Sequence, residues 1–361
     1  MEAMNSRERV LSAINHCPVD RIPTDIWATT EVMAKLQARF GTVENAMSEL
    51  HIDGLPGVSA EYIGPPFPEF PEGTDSTTAV FYGIWGMRLR RQVYADGVYL
   101  EQLNYPLAGA KTIDDLRAFE WPNPDWFDYS QMRQQAIQIR QTHVVSCGYM
   151  APFYLHNLLR GLETSLVDPL EDPEFTHYLL AKICDFEYEY HRRMFQACEG
   201  LIDVAQVTDD LGSQAGPLIR LKTYRDFYKP LHKRFIDLCH EFGIKVFHHD
   251  DGSMRLFLPD LVELGIDILN PVQYTCPNMD MVELKQEFGE KICFHGAIDN
   301  QRILPFGTPD EVREEVRHCI NSLASDQTGY ILASCHNIQP ITPLENILAM
   351  YDEAYHYGQF K

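Results

Sequence analysis

Residues 246–253 read VFHHDDGS, an apolar run that ends on two imidazoles, two carboxylates and a glycine. Side chains alternate along an extended segment, so His249 and Asp251, two apart, point to the same side. His248 then points the other way and packs. An imidazole and a carboxylate are ordinary zinc ligands, and three protein ligands with one open position describe a catalytic site. Cys335 and His336, at the end of YILASCH (330–336), are the candidates to complete the set. The H-x-D pair alone also fits a hydrogen-bonded loop.

Other polar residues end similar runs. Asp209, Asp210 and Gln214 lie in TDDLGSQ, and Asp25, Asp53, Asn270, Gln273, His295 and Asp299 close further apolar stretches. Asp209, Asp210 and Asp25 are candidates for acid–base or orienting work, and Gln214, Asp53, Asn270 and Gln273 for holding a substrate. Asp209, Asp210 and Asp251 could also form a glycosidase-type carboxylate pair. No G-x-S-x-G elbow is present for an acyl hydrolase. RLRR (88–91), with Tyr94 nearby, reads either as a grip on an anionic group or as a solvated hairpin face.

The elements that carry these residues follow a rhythm. Short apolar runs at 143–148, 201–209, 244–250, 266–272, 291–299 and 330–336 alternate with helical patterns such as TYRDFYKPLHKRFIDLCHEFG. Thr308, Pro309 and Glu311 form a capping box with proline at the first helical position, and Thr342, Pro343 and Glu345 repeat it. Alternating strands and helices imply parallel pairing through right-handed crossovers. RIPTDIWA (21–28) and HIDGLPGVS (51–59) raise the strand count to the eight that close a (β/α)8 TIM barrel. A doubly wound sheet is the alternative, weakened because no phosphate-binding glycine motif follows any strand. Residues 61–128 break the rhythm with a proline-rich loop and a hairpin turning at Asp96-Gly97. They read as an insertion after the second strand, shaped to cover the barrel mouth. The whole chain, 1–361, reads as one such domain.

Thirty basic residues against 52 acidic ones give a formal charge of -22. That balance argues against a sequence-independent grip on nucleic acid and against an anionic membrane surface. No run reaches the roughly 18 apolar residues of a membrane span. The nine cysteines are odd in number and lack C-x-x-C spacing, which suits reduced thiols in a cytoplasmic protein.

Several stretches resemble the uroporphyrinogen decarboxylase superfamily, and within it the branch near the corrinoid-dependent methyltransferases. They are SRERVLSAINHCPVDRIPTDIW, TIDDLRAFEWPNPDWFDY, TDDLGSQAGPLI, GAIDNQRILPFGTPDEVREEV and YILASCHNIQPITPLENILAMY. The resemblance implies a (β/α)8 barrel and leaves the chemistry open between two kinds. True decarboxylases carry an arginine-rich motif after the first strand, where this chain has PTDIWATTEVM. The zinc methyltransferases carry H-x-C and a late cysteine. Here His249 matches the histidine, Asp251 stands in the cysteine's place, and the late position falls on His336 with Cys335 adjacent. Replacing thiolates by a carboxylate and an imidazole leaves more positive charge on the metal, a stronger Lewis acid toward an ether or hydroxyl oxygen.

The resemblance therefore implies a zinc-dependent methyltransferase working between a small-molecule donor, such as a methoxy compound, and a corrinoid (cobalamin), or using the same site to activate a thiol acceptor with the methyl group coming from the corrinoid. No D-x-H-x-x-G motif occurs, so the corrinoid is expected on a partner protein. A homodimer is compatible with the resemblance. Two other readings are a metal-free decarboxylase of a poly-acid or tetrapyrrole, centred on Asp25, Asp53 and His336, and a barrel that only captures a corrinoid or tetrapyrrole.

Overall fold

The computed structural model describes residues 3–67, 80–94 and 97–360. Seven strands pair in one curled parallel sheet: β1 (Gly57–Val58), β2 (Ser146–Met150), β3 (Val204–Val207), β4 (Lys245–His249), β5 (Ile268–Asn270), β6 (Cys293–Ile298) and β7 (Tyr330–Ser334). Residues 23–28 run between the two ends of this sheet. On one side Asp25 donates its backbone N–H to Leu332 and Leu332 donates to Pro23, each at 2.9 Å. On the other, Asp53 and Gly54 both donate to the Thr24 carbonyl. An eighth extended segment thus joins β7 to the stretch before β1 and makes the sheet barrel-like. Its bonding is sparse, in part because Pro23 has no N–H to give.

The strand pattern sorts the side chains into layers. Val204, Phe247, Ile268, Cys293 and Ile331 point into the ring and form one buried cluster with Val10, Ala13 and Ile14 of helix α1 (Ser6–Ile14), which closes its N-terminal end. Two residues further along each strand, the same inward face carries Gln206, His249, Asn270, His295 and Ala333. A dry layer therefore lies beneath a polar one, and the polar one is the floor of the mouth. The outward faces, among them Ala205, Val246, Leu269 and Phe294, pack against the surrounding helices in a second, larger core.

Two helix starts differ from expectation, while the capping box at Thr308 and Glu311 is present as read. Pro343 is itself the residue flanking the helix Leu344–Tyr357, with no side-chain cap, so Thr342 and Glu345 do not repeat the device. The pattern read as one helix over 223–243 holds a π-turn at Tyr224–Tyr228 before the α-helix Lys229–Glu241. Tyr224 and Tyr228, at the two ends of this turn, are both completely buried.

Residues 61–62 pair antiparallel with 127–128. Between them, the strands Val80–Tyr82, Arg88–Tyr94 and Gly97–Gln102 form a separate antiparallel sheet. Asp96 of the expected turn lies outside the described residues. Arg90 of RLRR is ion-paired with Glu101 across this sheet at 2.6 Å. The sheet touches the barrel at Glu31, which accepts from the Val98 N–H, and at the Leu158 carbonyl, which accepts from Gln102. All nine cysteines are free thiols. Among the described residues no helix is long and apolar enough to cross a membrane.

Candidate metal centre

Each residue of HHDDG has its own task. His248 is fully buried and donates Nδ1–H to the Val207 carbonyl at 2.7 Å, facing outward as its alternation with His249 requires. Asp250 is also fully buried, and its Oδ1 accepts the backbone N–H groups of Leu211 and Gly212. That clamps the loop after β3 against the loop after β4. Gly212 and Gly252 let the loops meet. A Cβ on Gly212 would fall 2.2 Å from the Asp251 carbonyl oxygen, and one on Gly252 would fall 2.5 Å from that of Ser213. Ser253 then donates to the Ser213 carbonyl at 2.9 Å. The two loops are held face to face, and their acids, Asp210 and Asp251, converge over His249.

His249 Nε2 lies 3.8 Å from Asp251 Oδ2 and 3.9 Å from Asp210 Oδ1. His336 Nε2 lies 3.8 Å from the same Asp251 oxygen. One ligand atom from each of His249, Asp251 and His336 fits within a 4.8 Å span. A tetrahedral zinc with bonds near 2.0–2.1 Å has edges of roughly 3.3 Å. The two imidazole–carboxylate separations need to close by roughly half an ångström to reach that edge, within the reach of side-chain rotation. His249 is nearly buried, with 9% of its side chain exposed, whereas Asp251 and His336 keep 37% and 42%. The set is thus anchored on one side and open on the other.

Beneath it, a chain of hydrogen bonds fixes which nitrogen His249 offers. Asp25 accepts through Oδ2 from Trp27 Nε1–H and from His295 Nε2, both at 3.0 Å. A carboxylate only accepts, so the His295 proton sits on Nε2, and His295 Nδ1 must accept. It faces Asn270 Nδ2 at 2.7 Å, which turns Asn270 Oδ1 toward His249 Nδ1. His249 therefore donates through Nδ1 and leaves the Nε2 lone pair to the cluster, the arrangement that outer hydrogen bonds give to metal-binding histidines. The donor set and the polarity of its support both fit a zinc-type ion.

The remaining expected residues fall in different places. Asp209 is buried with both oxygens used, accepting from the Tyr154 N–H at 2.9 Å and lying 2.7 Å from His232 Nε2. His232 in turn meets Tyr224 of the π-turn at 3.2 Å. Asp210 stays partly open, and burial, with the carboxylates of Asp251 and Asp209, lifts its carboxyl to about 6. Gln273 bonds Gln214 at 3.1 Å beside the cluster. Asn270 orients His249 instead of facing a ligand. Cys335 is buried, its Sγ donates to the Val272 carbonyl, and burial pushes the thiol well up. It stands outside the converging set, which takes His336.

Asp53 is not at the mouth. Pairing begins only at Gly57, so Asp53 precedes the strand and sits at the N-terminal end, sealed by Arg9 at 2.6 Å and Arg21 at 2.9 Å. Asp25, Asp53 and His336 are therefore not gathered into one centre. Sequence reasoning missed Trp27, whose ring lies 5.4 Å from His249 and 6.3 Å from His336. It also missed His232, which looks like any member of an amphipathic helix.

A model of the uroporphyrinogen decarboxylase (URO-D) family matches residues 111–357. The chain belongs to that family. Within reach of this URO-D chain are a methylated-thiol–coenzyme M methyltransferase of Methanosarcina mazei and a uroporphyrinogen decarboxylase of Nostoc punctiforme. The first is 29% identical over 202 residues, 55% of this chain and 49% of the relative. The second is 25% identical over 189 residues, 51% and 48%. The chain spans about half the length of these curated relatives. A solved methyltransferase from Methanosarcina mazei superimposes with a TM-score of 0.62 at 16% identity, covering 98% of this chain and 99% of that one, which supports the barrel-like fold along the whole URO-D chain.

Proposed function

We propose that this URO-D protein is a methyltransferase that moves a methyl group between a small molecule, such as a methoxy compound, and a corrinoid carried by a partner protein. His249, Asp251 and His336 would hold zinc. The observation that carries the reading is the relay from Asp25 to His249, which leaves one imidazole nitrogen free beside the two other ligand atoms. A relay of this polarity suits a metal ligand, because it aims one imidazole lone pair at the cluster. Bound zinc supplies Lewis acidity toward an ether or hydroxyl oxygen of the substrate.

The chain's own residues do the rest. Trp27 walls the cluster on one side, while Asp210 approaches His249 and stands where it can orient a substrate. The antiparallel sheet of residues 80–102, docked on Glu31 and Leu158, is suited to act as a lid that keeps water from the reacting groups. The methyltransferase among the sequence relatives supports this reading over decarboxylation, as does the scatter of Asp25, Asp53 and His336.

The test is metal content by mass spectrometry for the wild type and His249→Ala, each purified without chelator and then supplied with zinc. The expected result is about one zinc per chain in the wild type and none retained by the variant. Two metal-free proteins would overturn the proposal.

A further inference from the structure

Outward from the cluster lies a cavity of about 290 Å3 lined by Gln214, Gln273, Asn300, Gln301 and Gln339, together with Asp251, Cys335 and His336. Five carboxamides in one small cavity is an unusual choice, and no Lys or Arg lines it among the described residues. A site built to hold a carboxylate or sulfonate uses guanidinium or ammonium groups, because the anion must be repaid for leaving water. The one carboxylate among the lining residues is Asp251, itself a prospective zinc ligand.

The amides are also set in direction. Gln273 Oε1 accepts from the Gly252 N–H at 2.9 Å, and Gln273 Nε2 donates to Gln214 Oε1 at 3.1 Å. Cys276 Sγ points at that same Gln214 oxygen at 3.4 Å. Gln214 therefore has its carbonyl engaged and its NH2 group to offer. Gln339 is the reverse, since its Nε2 donates to the Asn337 carbonyl at 3.0 Å and its Oε1 remains to accept. One wall donates and another accepts, which matches a group that does both.

We infer that the small molecule bound beside the cluster carries an uncharged hydrogen-bonding group, a hydroxyl or carboxamide, and that the amide cavity discriminates against a carboxylate or sulfonate in that place. The inference rests on the methyl-transfer reading and deepens it, by naming the class of substrate.

The experiment uses a matched pair of the same shape, 3-methoxybenzamide and 3-methoxybenzoate, titrated into the zinc-loaded full chain and followed by ligand-observed NMR. A second protein, Gln301→Arg, places a cation on the cavity wall. Gln301 is exposed and only its backbone N–H is engaged, by Asp299, so the fold tolerates the change. The amide is expected to bind at least about tenfold more tightly to the wild type, and Gln301→Arg is expected to shrink or reverse that ratio. Equal or tighter binding of the benzoate to the zinc-loaded wild type overturns the inference and leaves methyl transfer standing. A chain that takes up no zinc overturns both.

Discussion

The two ends of the barrel use the same residue types to opposite effect. At the N-terminal end Asp53 is fully buried between Arg9 and Arg21, Arg9 also grips Asp20, and Arg7 grips Asp203. Every one of these acids meets a guanidinium. At the mouth Asp210, Asp251, His249 and His336 stand within 4 Å of one another in turn, and no Lys or Arg joins them among the ion pairs formed there. Compensated charge fastens a structure, while charge left uncompensated waits for a ligand. In a barrel of this kind the first belongs to the bottom face and the second to the top.

The comparison breaks most visibly at Asp53. Asp53→Ala leaves Arg21 without a carboxylate and Arg9 with Asp20 alone, and the expected loss is about 3–5 kcal/mol in denaturant unfolding. Zinc uptake by the protein that remains folded should be unchanged. A loss of metal with unchanged stability would place Asp53 functionally at the mouth and reverse the assignment of the two ends.

Glu187 sharpens the contrast, because it is almost as buried as Asp53 but lacks a cation. Its Oε2 has no hydrogen-bond partner, and burial lifts its carboxyl to about 8. Cys184, Tyr149, Tyr190 and His191 face it, and none is charged near neutral pH. The folded chain therefore holds this proton to higher pH than the unfolded chain does. Stability should fall as pH rises from about 4.5 toward 8 and level off beyond. His191, which burial lowers to about 4, has the opposite sign, adding stability as pH rises to 6.5. Between pH 6.5 and 8 the His191 contribution has levelled off, while Glu187 still gives a downward slope. Glu187→Gln should flatten it and stabilise the protein at pH 8 on the order of a few kcal/mol, read from chemical denaturation at each pH. A wild type whose stability is constant over that window would show Glu187 to be partnered.

The smallest effect on stability, and the most specific one, is expected at Asn270. Asn270→Ala removes the support that fixes the His249 ring without touching a ligand. Zinc affinity should weaken about 10–100-fold, measured by competition with a chelator. An unchanged affinity would mean that His249 needs no orientation from below.

Much of this was legible in the chain itself. Alternation of strand and helix patterns marked all eight segments of the barrel-like ring, and the two-residue spacing of His249 and Asp251 marked a shared direction. Which end of a segment a residue occupies was less legible. HIDGLPGVS reads as one strand, yet only Gly57 and Val58 pair, so Asp53 moves from one face of the molecule to the other. Cys335 and His336 are neighbours with equal claims as ligands, and the turn after β7 decides between them. The relay was hidden for another reason. Asp25, Trp27, Asn270 and His295 come from three separated segments, and only the curl of the sheet brings their inward layer together. The π-turn that brings Tyr224 to His232, and so supports Asp209, interrupts the single helical period that residues 223–243 suggest.

The relay has one further consequence. It starts on residues 23–28, which join the two edges of the sheet, and it ends on His249. Any breathing motion that parts this seam from β7 would draw Asp25 off His295 and free the His249 ring to turn. On the zinc reading proposed above, parting this seam would also loosen the hold of His249 on the ion, so an ion seated at the mouth would act as a clasp on a seam several residues below it.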